Sequence, residues 1–226
     1  RPLLVAPSTA HSRALLQSLA RRHGIAAGIQ STTPHGLRAH LEEQLLEIGR
    51  DEDPWRPGPL ALRIARIIET DSPGFEIVSA HVDASRRQGI PRASWTTARQ
   101  AAEVLTALAR DSHEVLRTWA QGHGPGHDDG HDVDLAGAPL DPARSWWAPL
   151  WRALLADSCS VADPVTRHEM LVDTLRGQET SSGAPIVWFS STALPHHDVE
   201  LAEALAASRT ITIVHLDHAI GHDDPW

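Results

Sequence analysis

The most constraining feature of this sequence is a strand–helix–strand pattern that occurs twice, once near each end of the chain. In the first copy an apolar run at residues 3–6 precedes a helical pattern, and residues 25–29 follow as a second apolar run. We expect the helix to be capped by Ser8 or Ser12 and to end at Gly24. Two strands joined through a helix pair in parallel, since antiparallel neighbours need only a short turn. The pattern predicts an α/β fold with a parallel sheet.

The second copy of the pattern places a helix through Leu201 and Leu205 between apolar runs at residues 186–189 and 211–216. Continuous apolar strands are typical of a sheet that is covered on both faces. Between the two copies the apolar residues keep helical spacing in five segments, at 37–48, 60–68, 97–122, 147–154 and 163–176. Segments rich in Gly, Pro and Asp, which predict connections, lie at 51–58, 71–92 and 122–139. The sequence therefore predicts an α/β sheet that is interrupted by an all-helical subdomain. Its parts are 1–33 and 181–226 for the sheet domain and 34–180 for the insertion.

Composition narrows the class of protein. The 226 residues carry 29 acidic and 20 basic side chains, a formal charge of −9, and every basic residue other than histidine is an arginine. Without lysine the chain offers neither a Schiff-base amine nor a P-loop lysine. Its one cysteine, Cys159, cannot form an internal disulfide, which favours the cytoplasm. No apolar run approaches the roughly 20 residues of a membrane span, so we expect no membrane contact. Because Arg1 and Pro2 lead directly into an apolar strand, we expect a fragment of a larger protein.

The acidic balance argues against a broad electrostatic surface for nucleic acid, so any such contact must be local or helped by a partner. Two local candidates follow the first two predicted strands. Ser8, Thr9 and Arg13 lie where the first helix begins, and Thr32 and His35 follow the second strand. Amides at a helix N-terminus, hydroxyls and an arginine can hold phosphate, although helix capping is the alternative for each segment. Both segments are expected at the same edge of the sheet.

Histidine and aspartate are concentrated at residues 123–134, which include His127 and His131, and again at 215–224. These are ligands that zinc accepts. However, the ligands of a hydrolytic centre are normally fixed on separate elements, and all candidates of the first group lie in one loop with several glycines. The competing interpretation of residues 123–134 is a solvated loop. For residues 215–224 it is a structural or linker role. Trp147 and Trp151 are expected in a helical core, with Trp146 more open to a partner.

Taken together, the blocks of sequence resemble a known family. They are residues 3–19, 24–29, 101–119, 147–154 and 186–195, in this order and spacing. The chain is similar in these blocks to the N-terminal region of the RecC family, the gamma subunits of exodeoxyribonuclease V. The resemblance implies a P-loop-helicase-like (RecA-like) domain of superfamily 1 that has lost its ATPase function and carries an inserted helical subdomain.

The resemblance also implies roles for individual residues. Ser8 and Thr9 match a helicase motif that contacts single-stranded DNA, and Thr32 and His35 fall at a second such motif. The strand that ends at residues 188–190 takes the place of the acidic motif that binds magnesium, but it has no carboxylate. The family reads a recombination hot spot through polar positions near the first helix and the 101–119 helix. Arg13 stands here in place of an amide, and Thr106 and Ala107 in place of an acid–amide pair.

The function implied by the resemblance is that of a non-catalytic subunit of a RecBCD-type helicase–nuclease in double-strand-break repair and recombination. Such a subunit scaffolds the motor subunits and guides or reads unwound single-stranded DNA. Its partners would be the beta and alpha subunits of exodeoxyribonuclease V and the unwound strand. The fragment itself would need no cofactor, since other subunits use ATP and magnesium. Two alternatives remain at this point: a metal-dependent hydrolase built on the loop at 123–134, and a protein–protein scaffold without DNA contact.

Overall fold

A computed structural model describes residues 1–49, 53–70, 74–122, 145–157, 160–177 and 183–215. The strands are β1 (Leu3–Val5), β2 (Gln30–Thr32), β3 (Ile186–Ser190) and β4 (Ile211–His215). The helices are α1 (Thr9–His23), α2 (Pro34–Leu45), α3 (Pro57–Glu69), α4 (Glu76–Arg87), α5 (Ala93–Asp111), α6 (His113–Gln121), α7 (Trp147–Ala156), α8 (Pro164–Gly177) and α9 (His196–Ala206). Among these described residues no helix has the length and apolar character of a membrane span.

The four strands form one parallel sheet in the order β2-β1-β3-β4. Leu3 is in register with Gln30 on one side and with Ile186 on the other, and Ile186 is in register with Ile211. The predicted α/β class with a parallel sheet is therefore confirmed. The two strand–helix–strand patterns form its two halves.

The position of the second strand was wrong in the sequence prediction, which placed it at residues 25–29. Gly28 has a φ of 84°, a left-handed conformation that interrupts an extended strand, and Ile25 is 70% exposed. The strand is formed instead by the polar residues of β2. Because β2 is an edge strand, its side chains do not need to be apolar on both faces.

Packing divides the chain into two compact units. The sheet unit consists of Arg1–Glu47 with Met170–Trp226, and the helical unit is Ile48–Glu169. These units are defined by packing alone. The domain limits proposed from the sequence, 1–33, 34–180 and 181–226, stay predictions.

The core of the sheet unit lies mainly on one face of the sheet. There Val5 and Trp188 are buried with residues of α2, α8 and α9, among them Leu41 and Leu201. Alternate residues point to opposite faces of a strand, so the second face carries a smaller cluster, which consists of Leu4, Ala6 and Phe189 with Leu15, Leu16 and Ile29 packed against it.

The expectation of complete cover on both faces is wrong at β4. Ile213 is 48% and Val214 40% exposed, and they lie on opposite faces of this edge strand. The remaining residues of the strand are also exposed or half-buried. An apolar strand therefore does not by itself identify a strand covered on both faces.

The helical unit contains two differences from the prediction. The segment 71–92, expected to be a connection, includes α4, which buries Val78 and Val82 at i, i+4 spacing. The single helix expected over 97–122 is two helices, because Ser112 adopts φ −155° and ψ 62° between α5 and α6. The predicted helical segments 147–154 and 163–176 correspond to α7 and α8.

Tryptophans occupy the core of the helical unit. Trp151 is 1% exposed, and its ring lies 5.3 Å from that of Trp55. Trp147 is half-buried and packs against the same core, as predicted. Trp146, expected to be more open, also packs against this core, and its ring stacks on Trp147 at 4.3 Å. The structure therefore gives Trp146 a packing role.

Candidate nucleic-acid interface

The first candidate segment follows β1 and begins α1. Ser8 is the N-cap of α1, with extended backbone, and its hydroxyl accepts a hydrogen bond from the His11 amide at 3.3 Å. The same oxygen lies 2.9 Å from Nδ1 of His11. Thr9 is the first helical residue and is exposed. Of the two predicted caps, Ser8 is confirmed and Ser12 lies inside the helix. The predicted end of the helix at Gly24, which has a φ of 82°, is also confirmed.

The second candidate segment follows β2 and begins α2. Thr33 caps this helix and accepts a hydrogen bond from the Gly36 amide at 3.1 Å. Thr32 is the last residue of β2, and His35 is exposed in the first turn of α2. A Cβ on Gly36 would lie 2.6 Å from Oγ1 of Thr32, so only glycine allows this close approach without a shift. Helix capping, the alternative given for this segment, is therefore confirmed, although the sequence did not single out Thr33 as the cap.

The two segments leave the sheet at the same edge. Val5 and Thr32 are in register on adjacent parallel strands, and the amide of Ala6 donates to the carbonyl of Thr32 at 3.0 Å. Ser8 and His35 therefore follow neighbouring carboxyl ends, as the sequence predicts. The contact of these residues with DNA stays a prediction.

A groove runs beside α1 from the same edge. Its volume is about 430 Å³, and its lining residues are Thr9, Ser12, Arg13, Leu16, Gln17, Ala20 and Ser31. Arg13 and Gln17 are exposed, and Ser12 is buried. The candidate residues Thr9 and Arg13 therefore line one continuous concave surface. Thr32 and His35 are not among its lining residues.

A buried ion pair, not foreseen from the sequence, joins α2 to α9. Nη2 of Arg38 lies 2.7 Å from Oδ1 of Asp198, and both side chains are less than 10% exposed. Nε2 of the buried His197 lies 3.5 Å from the same oxygen. Arg38 lies one turn after His35, and Asp198 lies in the first turn of α9. The partners are 160 residues apart in the sequence, and no local pattern indicates the pair.

The end of β3 carries no carboxylate that could bind a magnesium ion. Ser190 is 4% exposed, and its hydroxyl donates to the carbonyl oxygen of Thr192 at 2.5 Å. The hydroxyl is thus used inside the loop that follows the strand. Magnesium sites in nucleotide-binding proteins normally include at least one carboxylate, which residues 188–192 lack.

The distribution of charge supplies a signal that the net value of −9 conceals. Residues 1–41 contain five arginines and neither aspartate nor glutamate, whereas all 29 acidic residues lie in 42–226. One of the five, Arg38, is paired with Asp198. Both candidate segments and the groove therefore lie in an acid-free part of the chain. A count of charge along the sequence would have found this property.

Several sequence hypotheses lie outside the described residues. They concern the loop at 123–134 with His127 and His131, Cys159, and the part of the second His/Asp group that follows His215. Within the ranges that the structure describes, no three His, Cys, Asp or Glu side chains come together as a metal-binding group.

Comparison with known proteins identifies the family. Residues 2–218 match the family described as RecC, N-terminal domain. The chain is 30% identical over 196 residues to the RecBCD enzyme subunit RecC of Mycobacterium tuberculosis, which covers 82% of this chain and 16% of that protein. It is 27% identical over 213 residues to the RecBCD enzyme subunit RecC of Mycolicibacterium smegmatis, covering 90% of this chain and 17% of that protein. The chain thus spans about a sixth of the length of these relatives. With nearly its whole length matched, it belongs to the RecC N-terminal domain family.

Proposed function

We propose that this chain is part of a non-catalytic subunit of a RecBCD-type helicase–nuclease that acts in double-strand-break repair and recombination. The subunit scaffolds the motor subunits and guides an unwound single strand along the edge that bears Ser8, Thr9, Arg13, Thr32 and His35. The observation that carries this proposal is the coincidence of two helix N-termini and an acid-free sequence at one sheet edge.

The chemistry of this edge suits phosphate. In the first turn of α1 the amides of Thr9 and Ala10 have no helical partner. At α2 the Thr33 hydroxyl takes the Gly36 amide, and there the helix dipole is the main source of attraction for negative charge. The exposed guanidinium of Arg13 adds a fixed positive charge one turn into α1. Contacts of this kind position a strand without reading its bases. The edge therefore acts as a guide for the backbone of the strand.

The same domain is proposed to be a degenerate RecA-like helicase domain. The parallel sheet supports this assignment, and residues 188–192 offer no carboxylate for magnesium. ATP and magnesium would then be used by other subunits of the complex, and this fragment would need no cofactor. Arg13, Thr106 and Ala107 stand at positions that the family uses for reading a hot spot. Relatives with an amide and an acid–amide pair at these positions would therefore prefer a different DNA sequence from any that this chain prefers.

The proposed partners are the beta and alpha subunits of exodeoxyribonuclease V, in the bacterial cytoplasm. The relatives are RecC subunits of RecBCD enzymes, which supports an assembly of this type. Charge from partner subunits would offset the acidic surface that the rest of the chain contributes. Assembly and DNA guidance are therefore tested together in the complex.

The experiment combines a pull-down with DNA processing. The complete protein is expected to capture the beta and alpha subunits, and the Arg13→Gln/His35→Ala variant should capture them equally well. The variant complex should process duplex ends more slowly, because the guided strand loses its contacts. Arg87→Gln, which removes an exposed arginine from the helical unit, is the matched control and should process ends normally.

Each outcome has a distinct meaning. Unchanged processing by the Arg13→Gln/His35→Ala complex would contradict strand guidance and favour a protein–protein scaffold. Failure to capture either motor subunit would contradict the assembly itself. A slow variant with normal capture would support the proposal.

A further inference from the structure

We propose that the single-strand contact continues along α1 to Arg21, which with Arg13 and Gln17 forms a row of polar side chains beside the groove. This inference rests on the proposed function and extends the site beyond the sheet edge. It assigns a DNA-contacting role to two residues, Gln17 and Arg21, that neither the motifs nor the capping pattern indicates.

The geometry of the helix supports the row. Arg13, Gln17 and Arg21 are spaced four residues apart, so they lie one above the other on one side of α1. All three are exposed, and the first two line the groove. Eight residues of α-helix separate the two arginines by about 12 Å along the axis. Two guanidinium groups at that separation can contact two phosphates of the same strand.

The packing of α1 leaves this surface available. Ser12 is the one buried residue of α1, and the second face of the sheet holds only a small apolar cluster beneath the helix. The helix contains three arginines and no acidic residue. Among the described residues, no ion pair involves Arg13, Arg21 or Arg22. Within the described ranges, no carboxylate therefore neutralises the positive charge of α1.

Continuity with the sheet edge favours a nucleic-acid strand as the occupant over an acidic protein segment. The groove begins with Thr9, at the edge where the helix N-termini leave amides for phosphate, and it continues past Arg13 to Ala20. A polymer with a charge on every repeat can use both the amides and the two arginines. Contacts along this row would go to the backbone, so binding there would not depend on base sequence.

Arg22 provides a matched control. It is exposed and, like Arg21, lies in the last turn of α1, where basic side chains interact favourably with the helix dipole. It follows Arg13 by nine residues, or two and a half turns, and therefore lies on the opposite side of the helix. Replacing either residue by glutamine changes the net charge and the helix C-terminus equally. Only the position relative to the groove differs.

The test measures binding of a fluorescein-labelled dT15 oligonucleotide to the full chain by fluorescence anisotropy between 50 and 200 mM KCl. Arg21→Gln should weaken binding about fivefold at 50 mM and reduce the slope of log K against log salt by about 0.7, the value for one phosphate of a single strand. Arg22→Gln should remain within about twofold of the unchanged protein, with the same slope. Thermal unfolding should be equal for the two variants, which excludes a difference in folding.

The possible results separate this inference from the proposed function. Equal losses of dT15 affinity for Arg21→Gln and Arg22→Gln would overturn the proposed contact at Arg21 and would indicate a general charge effect. A loss for Arg13→Gln with none for Arg21→Gln would confine the contact to the sheet edge and overturn the inference alone. No binding of dT15 by the unchanged protein at 50 mM KCl would overturn the inference, whereas the strand-guiding role in the complex is decided separately by the processing of duplex ends. If Arg21→Gln weakened binding of polyglutamate but not of dT15, the occupant would be an acidic protein segment, which also overturns the inference.

Discussion

At the scale of single residues, Asp157 shows how one carboxylate fixes a helix end in the helical unit. It accepts a hydrogen bond from Nε of Arg63 at 2.9 Å and two from Arg66, and Arg63 also donates to the carbonyl of Leu154 at 2.7 Å. The guanidinium of Arg63 lies 4.6 Å from the centroid of Trp55. The hydrogen bond from Arg63 holds the pKa of Asp157 below its ordinary value. The residue therefore links α3 to the end of α7 in its ionised form.

This carboxylate predicts a dependence of stability on pH. Because the pKa of Asp157 is lower in the folded chain, its contribution is present above the unfolded value, about 3.9, and is lost as the pH falls through the folded value. Asp157→Asn should therefore lower the free energy of unfolding at pH 7 and have a smaller effect at pH 3. Tryptophan fluorescence during urea unfolding measures both values. Asp83→Asn, which removes an exposed aspartate of α4, is the control and should have little effect at either pH.

A loss of stability in Asp157→Asn that was equal at pH 7 and pH 3 would contradict the ionic role of Asp157. It would indicate that the side chain contributes by shape and neutral hydrogen bonding. The same result for Asp83→Asn would show that the unit responds to charge in general.

At the scale of elements, the ion pair between Arg38 and Asp198 connects the second turn of α2 to the first turn of α9. A buried pair gives little net stability, because desolvation offsets the attraction, but loss of one partner leaves a buried charge alone. Arg38 follows His35 by one turn in the same helix, so the pair also holds the candidate segment in place. The connection thus matters for the position of α2 more than for total stability.

Single and double replacements separate these effects. Arg38→Met or Asp198→Leu alone should cost about 3–5 kcal/mol of stability, whereas the double variant should lose much less, because no charge remains buried. Urea unfolding of the full chain provides the three free energies. Costs that simply add would contradict the pairing and would indicate that each side chain packs independently. Arg99→Gln with Glu103→Gln, an exposed pair at 3.8 Å, is the control and should show little coupling.

Elements with a strong local signal were predictable from the sequence. The Ser8 cap and the glycine at the end of α1 depend on neighbouring residues only, and so does the apolar spacing of α7. The strand β2 was misplaced because its polar residues are stabilised by pairing with β1, a contact that the local pattern does not contain. The prediction that β4 is covered on both faces failed for the same reason, because an apolar run does not show which elements lie on either face of the strand.

The candidate site divides in the same way. Ser8, Thr9, Thr32 and His35 lie at one edge because parallel strands share their carboxyl ends, a rule that can be applied to a sequence. The Arg38–Asp198 pair and the close approach of Thr32 to Gly36 depend on packing between or within elements, and the sequence alone does not indicate them.

At the scale of the whole molecule, charge is separated along the sequence. Residues 1–41 carry five arginines without an acid, and the remaining 185 residues carry 15 arginines with all 29 acids. Net charge is therefore a poor guide to binding in this chain. Each cation near a phosphate releases counterions, so local contacts set the dependence of binding on salt. An acidic protein can in this way bind a strand through few contacts.

The final prediction concerns that dependence. Two phosphate contacts, at Arg13 and Arg21, give an expected slope of about −1.4 in log K against log salt, or about a sevenfold loss of affinity for dT15 between 50 and 200 mM KCl. Glu103→Gln with Glu114→Gln, which removes two exposed charges from the helical unit, should leave this slope unchanged although the net charge rises by two. Fluorescence anisotropy of labelled dT15 measures both slopes. A slope of about −4 or steeper for the unchanged protein would indicate a broad basic surface and contradict the two-contact prediction. A slope that changed in the Glu103→Gln/Glu114→Gln variant would show that net charge, and not the local phosphate contacts, sets the dependence of binding on salt.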